Sequence, residues 1–469
     1  MSSKPWIPYT LPVDDMPIDL RPLFAGERPA GVHGFLKADG AHLVFEDGAE
    51  VRFWGTNFNS GACFPSHAYS EKVARRLAKT GLNLVRLHQM DAEWSTPNLF
   101  QFTKGARLAD TRRLDPESLD RLDYLIHCLK REGVYVYLDL LTYRRFKLGD
   151  GVAEADQLPQ AARPYSNFDR RLIELQQEFS AALWTHVNPY TRLAYKDDPV
   201  IALCEIVNEN DLWHGPELFQ EPYRSRLEER FRAWARERGR AVPPGPVALG
   251  AKPRDPLIQA FYVEITQAYY REMIAHLRGL GVRIPLAGTN WAVHSDHLAC
   301  QAVADFTDGH TYWWDFGGWN AKGRTFMNQA MVGQPSSILP PLAFNRLPDK
   351  PYFVSEWDNP WPNEWRAESA LFLAAVGAFQ GWGGFAIHTY RYDTDETTDQ
   401  IGRPITSDAI GGVRYRGGVF DTFNDPAKYG LFYHAALITR RRDVAPARET
   451  LGIRLDGGLA GAGSAFRGA

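Results

Sequence analysis

Two glutamates stand where short apolar runs give way to polar residues. Tyr352–Val354 ends in Ser355, Glu356, Trp357 and Asp358, and Val200–Val207 ends in Asn208 and Glu209. Runs of this kind have strand propensity, and the polar residues begin where a strand emerges from a core. One carboxylate at a strand end has little meaning alone. Two brought together divide the labour when their surroundings keep one protonated and the other ionised, giving an acid and a nucleophile. The same kind of position is held by Asn57, Arg86 with His88, Asp139, Asn290 with Trp291, His310 with Tyr312, and His388 with Tyr390.

What would bring these residues together is a rhythm of strands and helices. After a proline-rich start, GFLKA and HLVFE, with turns at Asp39-Gly40 and Asp47-Gly48, predict a small hairpin. From Val51 onward, eight apolar strands follow, mostly alternating with helices. Ser70 is expected to cap the first helix and Gly81 to close it, and Asp115 and Pro116 open the second, which ends at Gly133. Further helices are expected over 169–195, 221–240, 257–280, 364–379 and 425–440. Continuous apolar strands imply burial on both faces, as in a parallel sheet. Eight such units predict an α/β fold, a (β/α)8 TIM barrel with a short N-terminal β-hairpin and long active-face loops; active sites of such barrels form at the C-terminal strand ends. A doubly wound open sheet is the alternative, but no Gly-rich phosphate loop follows the first strand. The residues beyond the roughly 250 of a barrel core fall at about 142–168, 210–256 and 313–350. The chain divides into an irregular segment, 1–33, a barrel with its hairpin, 34–445, and a tail, 446–469.

Composition narrows the function classes. The 469 residues are 44% apolar, enough for a sizeable core, and 53 basic against 56 acidic residues give a net charge of −3. That balance offers no electrostatic case for nucleic acid or an anionic membrane. Cys63, Cys128, Cys204 and Cys300 lack metal-ligand spacing, and Cys128 and Cys204, in apolar runs, read as buried thiols. Without an apolar segment at its N-terminus, the chain reads as cytoplasmic unless a signal has been removed. Oligomeric state leaves no trace in the sequence.

On an eight-strand ring, strands four and seven lie three steps apart, so Glu209 and Glu356 face each other across the pocket. Carboxylates paired across a cleft are what glycoside hydrolysis requires: one protonates the leaving oxygen, and the other attacks the anomeric carbon or activates a water.

EIVNEN on strand four and VSEW on strand seven resemble the acid/base and nucleophile strands of clan A glycoside hydrolases, most closely family 5, the cellulase and mannanase family. Arg86 in LVRLH and the His310-Thr-Tyr312 spacing are similar to that family's motifs after strands two and six, and the resemblance runs from about 34 to 440. It implies that Glu209 is the general acid/base, Glu356 the nucleophile, and that Asn208 hydrogen-bonds the sugar 2-hydroxyl. Arg86 and Tyr312 would hold Glu356 ionised, and His310 would sit near Glu209 or the sugar. The implied activity is retaining hydrolysis, by double displacement, of a β-linked gluco- or manno-configured oligosaccharide or polysaccharide. A β-galactosidase-type or other exo-acting glycosidase, a transglycosylase, and a non-catalytic carbohydrate-binding barrel are the alternatives. Three features depart from the family: Asn210 replaces a usual proline, His388 and Tyr390 stand where a tryptophan is common, and Trp382 precedes that strand.

Other assignments stay open on sequence. Asp139 is a pocket acid or a structural partner of Arg86 or Arg144, and His88 contacts sugar or serves the barrel. Glu205, four residues before Glu209, reads as a structural carboxylate. Trp291 and at least one of Trp313 and Trp314 are expected to line subsites, since indole faces pack on sugar rings; Asn57 and His388 complete the expected binding set. His294 and His297 have no carboxylate partner at metal-ligand spacing, so no catalytic metal or cofactor is expected; a structural Mg2+ or Ca2+ stays open.

Overall fold

Apolar segments bounded by turn residues form, in the computed structural model, one hairpin and eight parallel strands. The structure describes residues 18–105, 107–242, 244–251, 253–291, 294–313, 328–392 and 419–455. Trp314, the start of the N-terminal segment and most of the C-terminal tail therefore lie outside the described residues.

Strands β1 (Leu36–Asp39) and β2 (His42–Phe45) pair antiparallel, with Leu36 opposite Phe45 and Asp39 opposite His42. Gly40 supplies the left-handed turn residue at φ +54°. Phe45 stacks on Tyr135 with ring centroids 5.2 Å apart, so the hairpin covers the N-terminal end of the sheet.

The barrel strands are β3 (Phe53–Asn59), β4 (Leu84–His88), β5 (Tyr135–Leu141), β6 (Ile201–Val207), β7 (Leu286–Ala287), β8 (Thr307–Tyr312), β9 (Tyr352–Asp358) and β10 (Gly384–Arg391). They are hydrogen-bonded in the order β7-β6-β5-β4-β3-β10-β9-β8, every pair parallel. Every residue of β3, β4, β5, β6, β9 and β10 is buried, which explains their near-continuous apolar character. At the seam between β7 and β8 a side chain does the work of a ladder. The buried Gln301 amide donates to the Asp308 and Trp291 carbonyls at 3.1 and 3.3 Å and accepts from the Asp308 N–H at 2.8 Å. This is a (β/α)8 barrel.

Nine α-helices lie among the described residues: α1 (His67–Lys79), α2 (Pro116–Glu132), α3 (Arg170–Thr185), α4 (Tyr223–Glu237), α5 (Pro256–Leu280), α6 (Ser295–Gln301), α7 (Leu339–Phe344), α8 (Glu368–Gln380) and α9 (Phe432–Arg440). The expected ends of α2 are present: Asp115 accepts from the N–H groups of Glu117 and Ser118 at 3.0 Å, and Gly133 closes the helix at φ +80°. Helix α1 starts one turn earlier than Ser70, because Ser66 accepts from the Tyr69 N–H at 3.2 Å. The segment expected to be helical over 169–195 stops at Thr185, and α9 begins seven residues after Asp425. No helix among the described residues is long and apolar enough to cross a membrane. All four cysteines are buried and free.

Inside the barrel, Phe53, Tyr137, Phe306 and Phe353 form an aromatic floor, with Tyr137 edge-on to Phe306 and Phe353 at 6.0 and 5.4 Å. Charged side chains form the layer above it, toward the C-terminal ends of the strands.

Candidate active site

Arg86 is the centre of that layer. Its guanidinium, fully buried, donates to Asp139 at 3.0 Å, Asn57 at 3.0 Å, Glu356 at 2.6 Å, Glu205 at 2.8 Å and Asn208 at 3.0 Å. Burial opposes its charge, but Asp139, Glu205 and Glu356 outweigh burial and hold its pKa well above the ordinary arginine value. Asn57 sits beneath it, with Nδ2 donating to the carbonyls of Ser355, Ala386 and Ile387 at 2.9, 3.0 and 3.2 Å. Both ends of the Asn57 amide are thus engaged with the barrel itself.

Glu356, on β9, is 4% exposed. One oxygen, Oε1, takes Arg86 Nη1 at 2.6 Å and lies 3.1 Å from His88 Nε2. The other, Oε2, accepts from the Tyr312 hydroxyl at 2.5 Å and lies 3.3 Å from His388 Nδ1. Burial pushes this carboxyl up, yet His310, His388, His88 and Arg86 together pull it well below the usual glutamate range. Burial and the charges of Glu356 and Glu209 push the Tyr312 phenol far up, so Tyr312 stays a donor.

A local irregularity aims His310. Against β9, β8 shifts register between Asp308 and His310, which sets His310 beside Glu356. Gly309 stands opposite the extra residue of β9, where a Cβ would lie 2.6 Å from the Tyr352 hydroxyl. His310 Nδ1 then meets Glu209 Oε1 at 2.9 Å, and its Nε2 meets Ser355 Oγ at 2.8 Å. A serine hydroxyl donates or accepts, so His310 Nε2 keeps its partner in either tautomer.

Glu209 follows β6 in the left-handed region, at φ +41°. Such a conformation costs a non-glycine residue about 1–3 kcal/mol and persists where its surroundings enforce it. Here Asn290 enforces it, its Oδ1 accepting the Glu209 N–H at 3.0 Å. The Asn290 Nδ2 donates to Glu205 at 2.9 Å and to Asn208 Oδ1 at 2.7 Å. A carboxylate oxygen of Glu209 lies within 4.8 Å of one on Glu356, and His310 Nδ1 stands 2.9 Å from Glu209 Oε1 and 3.7 Å from Glu356 Oε2. Burial raises Glu209, but the hydrogen bond and charge of His310 outweigh it and lower the carboxyl.

Asn208 is 1% exposed, and its Nδ2 has no hydrogen-bond partner among the described residues. An unmet buried donor is costly, and one facing a pocket is a position for a ligand acceptor. Of the readings left open for Asp139, the structure shows the pairing with Arg86. The Asp139 Oδ2 lies 2.5 Å from His88 Nδ1. Burial pushes Asp139 up to about 7, and burial with Arg86 holds the His88 imidazole well below its ordinary value. A neutral His88 is satisfied at both nitrogens when Asp139 carries a proton to Nδ1 and Nε2–H donates to Glu356. Glu205 is likewise pushed well up by burial.

Arg163, from the loop after β5, gave no signal in the sequence. Its Nη2 donates to the Thr142 and Asn208 carbonyls at 2.9 and 3.2 Å, and its charge helps lower Glu209. The guanidinium lies 4.6 Å from the Tyr143 ring centroid, which places both on the same wall. His388 reaches Glu356, whereas Tyr390 goes to the helix layer and accepts from Arg76 at 2.8 Å. The register shift of β10 between Ile387 and Arg391 breaks the alternation that would have kept them on one face. Tyr392 supplies a partner instead, 2.5 Å from His388 Nε2. Trp291 is half-buried and its indole N–H points at His214, 2.8 Å from Nδ1. Trp313 is buried, its N–H donated to the Gln329 carbonyl at 3.0 Å. Trp357 is fully buried against Trp54, with ring centroids 6.2 Å apart, behind the strand that bears Glu356. Trp382 packs edge-on to Tyr352, away from the site.

No family model and no curated protein matches the chain. Solved structures do match it in fold. An endo-1,4-beta-mannanase from Rhizomucor miehei superposes with a TM-score of 0.51 at 15% identity, covering 76% of this chain and 90% of that one. A glycoside hydrolase family 5 mannosidase variant from the same organism, in complex with mannosyl-fructose, gives 0.52 at 12% identity, covering 86% and 96%. An endo-beta-1,4-mannanase from Thermotoga petrophila gives 0.50 at 15% identity, covering 85% and 79%.

Proposed function

We propose that this protein is a retaining β-glycoside hydrolase that cleaves β-linked gluco- or manno-configured oligosaccharides or polysaccharides by double displacement. The observation that carries this reading is the pairing of Glu209 and Glu356 across the barrel mouth, with carboxylate oxygens within 4.8 Å and Glu356 alone clamped by Arg86 and Tyr312. Retaining enzymes hold their carboxyl groups about 5–5.5 Å apart, whereas inverting ones need roughly 6.5–9.5 Å to admit a water.

In the first step Glu356 attacks the anomeric carbon as Glu209 gives its proton to the departing oxygen. The C–O bond to the leaving group breaks and a glycosyl ester forms on Glu356. That ester removes the negative charge that had opposed ionisation of Glu209. Glu209 then takes a proton from water as the water attacks the same carbon, and Glu356 leaves as carboxylate. The proton needed in the first step is shared over the Glu209–His310 contact, and Ser355 accommodates either position of it. Asn208 Nδ2 meets the sugar hydroxyl next to the anomeric carbon, an interaction that strengthens in the transition state. Asn57 acts through Arg86 rather than on sugar, and His88, His388 and Trp291 line the pocket around the reacting ring.

The shared fold of the mannan- and mannoside-active neighbours makes manno-configured sugars the first to try. A panel of aryl β-glycosides, read by NMR for the configuration of the first-formed sugar, tests the reading. A β-configured product supports it. An α-configured product would exclude double displacement, and turnover of no sugar would favour a carbohydrate-binding barrel.

A further inference from the structure

We propose that Asp211, His214 and His297 bind one divalent transition-metal ion of the zinc class, which fastens the stretch after Glu209 to the helix that follows Trp291. Nothing in the glycosidase reading requires such a site, and its test is independent of that reading.

The three residues come from two separate segments at the C-terminal face of the barrel. Asp211 and His214 follow β6, and His297 lies on α6. Their ligand atoms, one carboxylate oxygen and two imidazole nitrogens, all lie within 4.8 Å of one another. Asp211, 4% exposed, is fixed by its far oxygen, Oδ1, which accepts from the N–H groups of Trp213 at 2.6 Å and His214 at 3.0 Å. That leaves Oδ2 facing both rings, 2.8 Å from His214 Nδ1 and 3.3 Å from His297 Nε2. Ligands of a zinc ion at about 2.0–2.2 Å from the metal stand roughly 3–3.5 Å apart. The His297 contact falls within that spacing and the His214 contact just short of it, and the His214 side chain is 40% exposed.

The surroundings are those of a metal site. His294 stacks on His297 with ring centroids 3.7 Å apart, and Trp213 stands edge-on to both, giving the ligands an aromatic shell. His214 opens to solvent, which provides access and leaves coordination positions for water. Two imidazoles and one carboxylate suit Zn2+, Co2+ or Ni2+, whereas Mg2+ and Ca2+ prefer all-oxygen sets. The competing arrangement is a hydrogen-bond hub, with both rings donating to Asp211 and the Trp291 indole donating to His214 Nε2 at 3.2 Å.

The test uses the full chain after treatment with a chelator. Titration with Zn2+ alone is followed by calorimetry, and titration with Co2+ alone by its visible ligand-field absorption. The wild type and Glu356→Gln, which disables the nearby Glu209–His310–Glu356 group, are expected to take up one equivalent and to melt at higher temperature with metal present. His297→Ala and the surface-exposed His214→Ala are expected to lose more than the roughly 10- to 100-fold in affinity that removal of an outer partner costs, and to lose the metal-induced melting shift. Absence of uptake by the wild type would overturn the proposal in favour of the hub. Uptake lost in Glu356→Gln but kept in His297→Ala and His214→Ala would overturn it in favour of the catalytic carboxylates.

Discussion

Arg86 Nη1 stands 2.6 Å from Glu356 Oε1, and the same guanidinium also holds Asp139 and Glu205. A single buried cation therefore serves three carboxyl groups, of which Glu356 alone is held below the ordinary range. Replacing Arg86 by Met is expected to destabilise the fold by about 3–5 kcal/mol, the cost of stranding buried charge, as measured by denaturant unfolding. Arg86→Lys keeps the charge but loses the planar fork. It should retain more stability while kcat falls sharply.

The proposed acid role makes the loss of Glu209 depend on the basicity of the leaving group. Glu209→Ala is expected to slow cleavage of an unactivated glycoside by about 10²–10⁴-fold, the usual worth of a general acid. The first step on an aryl glycoside with a strongly acidic phenol should be nearly unaffected, because that phenolate departs without a proton. Equal losses on both substrates in pre-steady-state measurements would remove Glu209 from the acid role.

His310 acts on both carboxyl groups with the same sign. Its hydrogen bond and charge lower Glu209, and its charge is the largest influence pulling Glu356 down against burial. Without it both folded-state values rise. Glu209 then keeps its proton to higher pH, and Glu356 ionises only at higher pH. In His310→Ala, both limbs of the pH profile of kcat/KM should therefore move to higher pH. A bell that moves to lower pH would contradict this electrostatic account.

Asn208 offers a buried donor with no partner among the described residues, so its value should be read in the transition state. Asn208→Ala is expected to lower kcat more than it raises KM. On a substrate lacking the hydroxyl next to the anomeric carbon, the mutant and wild-type rates should converge, since both have lost the same contact.

Much of this arrangement was legible in the sequence because strand ends in a parallel barrel must converge. Glu209, Glu356, Arg86, His310 and Tyr312 each lie toward the C-terminal end of a strand, and counting strands suffices to bring them together. Irregularities were not legible. The left-handed turn at Glu209 depends on Asn290, 81 residues away in sequence. The register shift in β10 sends Tyr390 outward while His388 faces in. Arg163 lies in a loop without periodicity, so no pattern marked it. His297 lacked a carboxylate at helical spacing, and its partner Asp211 comes from a different loop altogether.

The central claim is that Glu356 forms a covalent bond to the sugar. Its most direct test is to incubate the protein with a fluorinated glycosyl donor that forms the ester quickly and hydrolyses it slowly, and then to map the labelled peptide by mass spectrometry. The account predicts one sugar per chain, attached to Glu356 in the peptide containing VSEW and absent from Glu356→Gln. A label on another residue, or turnover of the donor with no covalent species at any time, would contradict it.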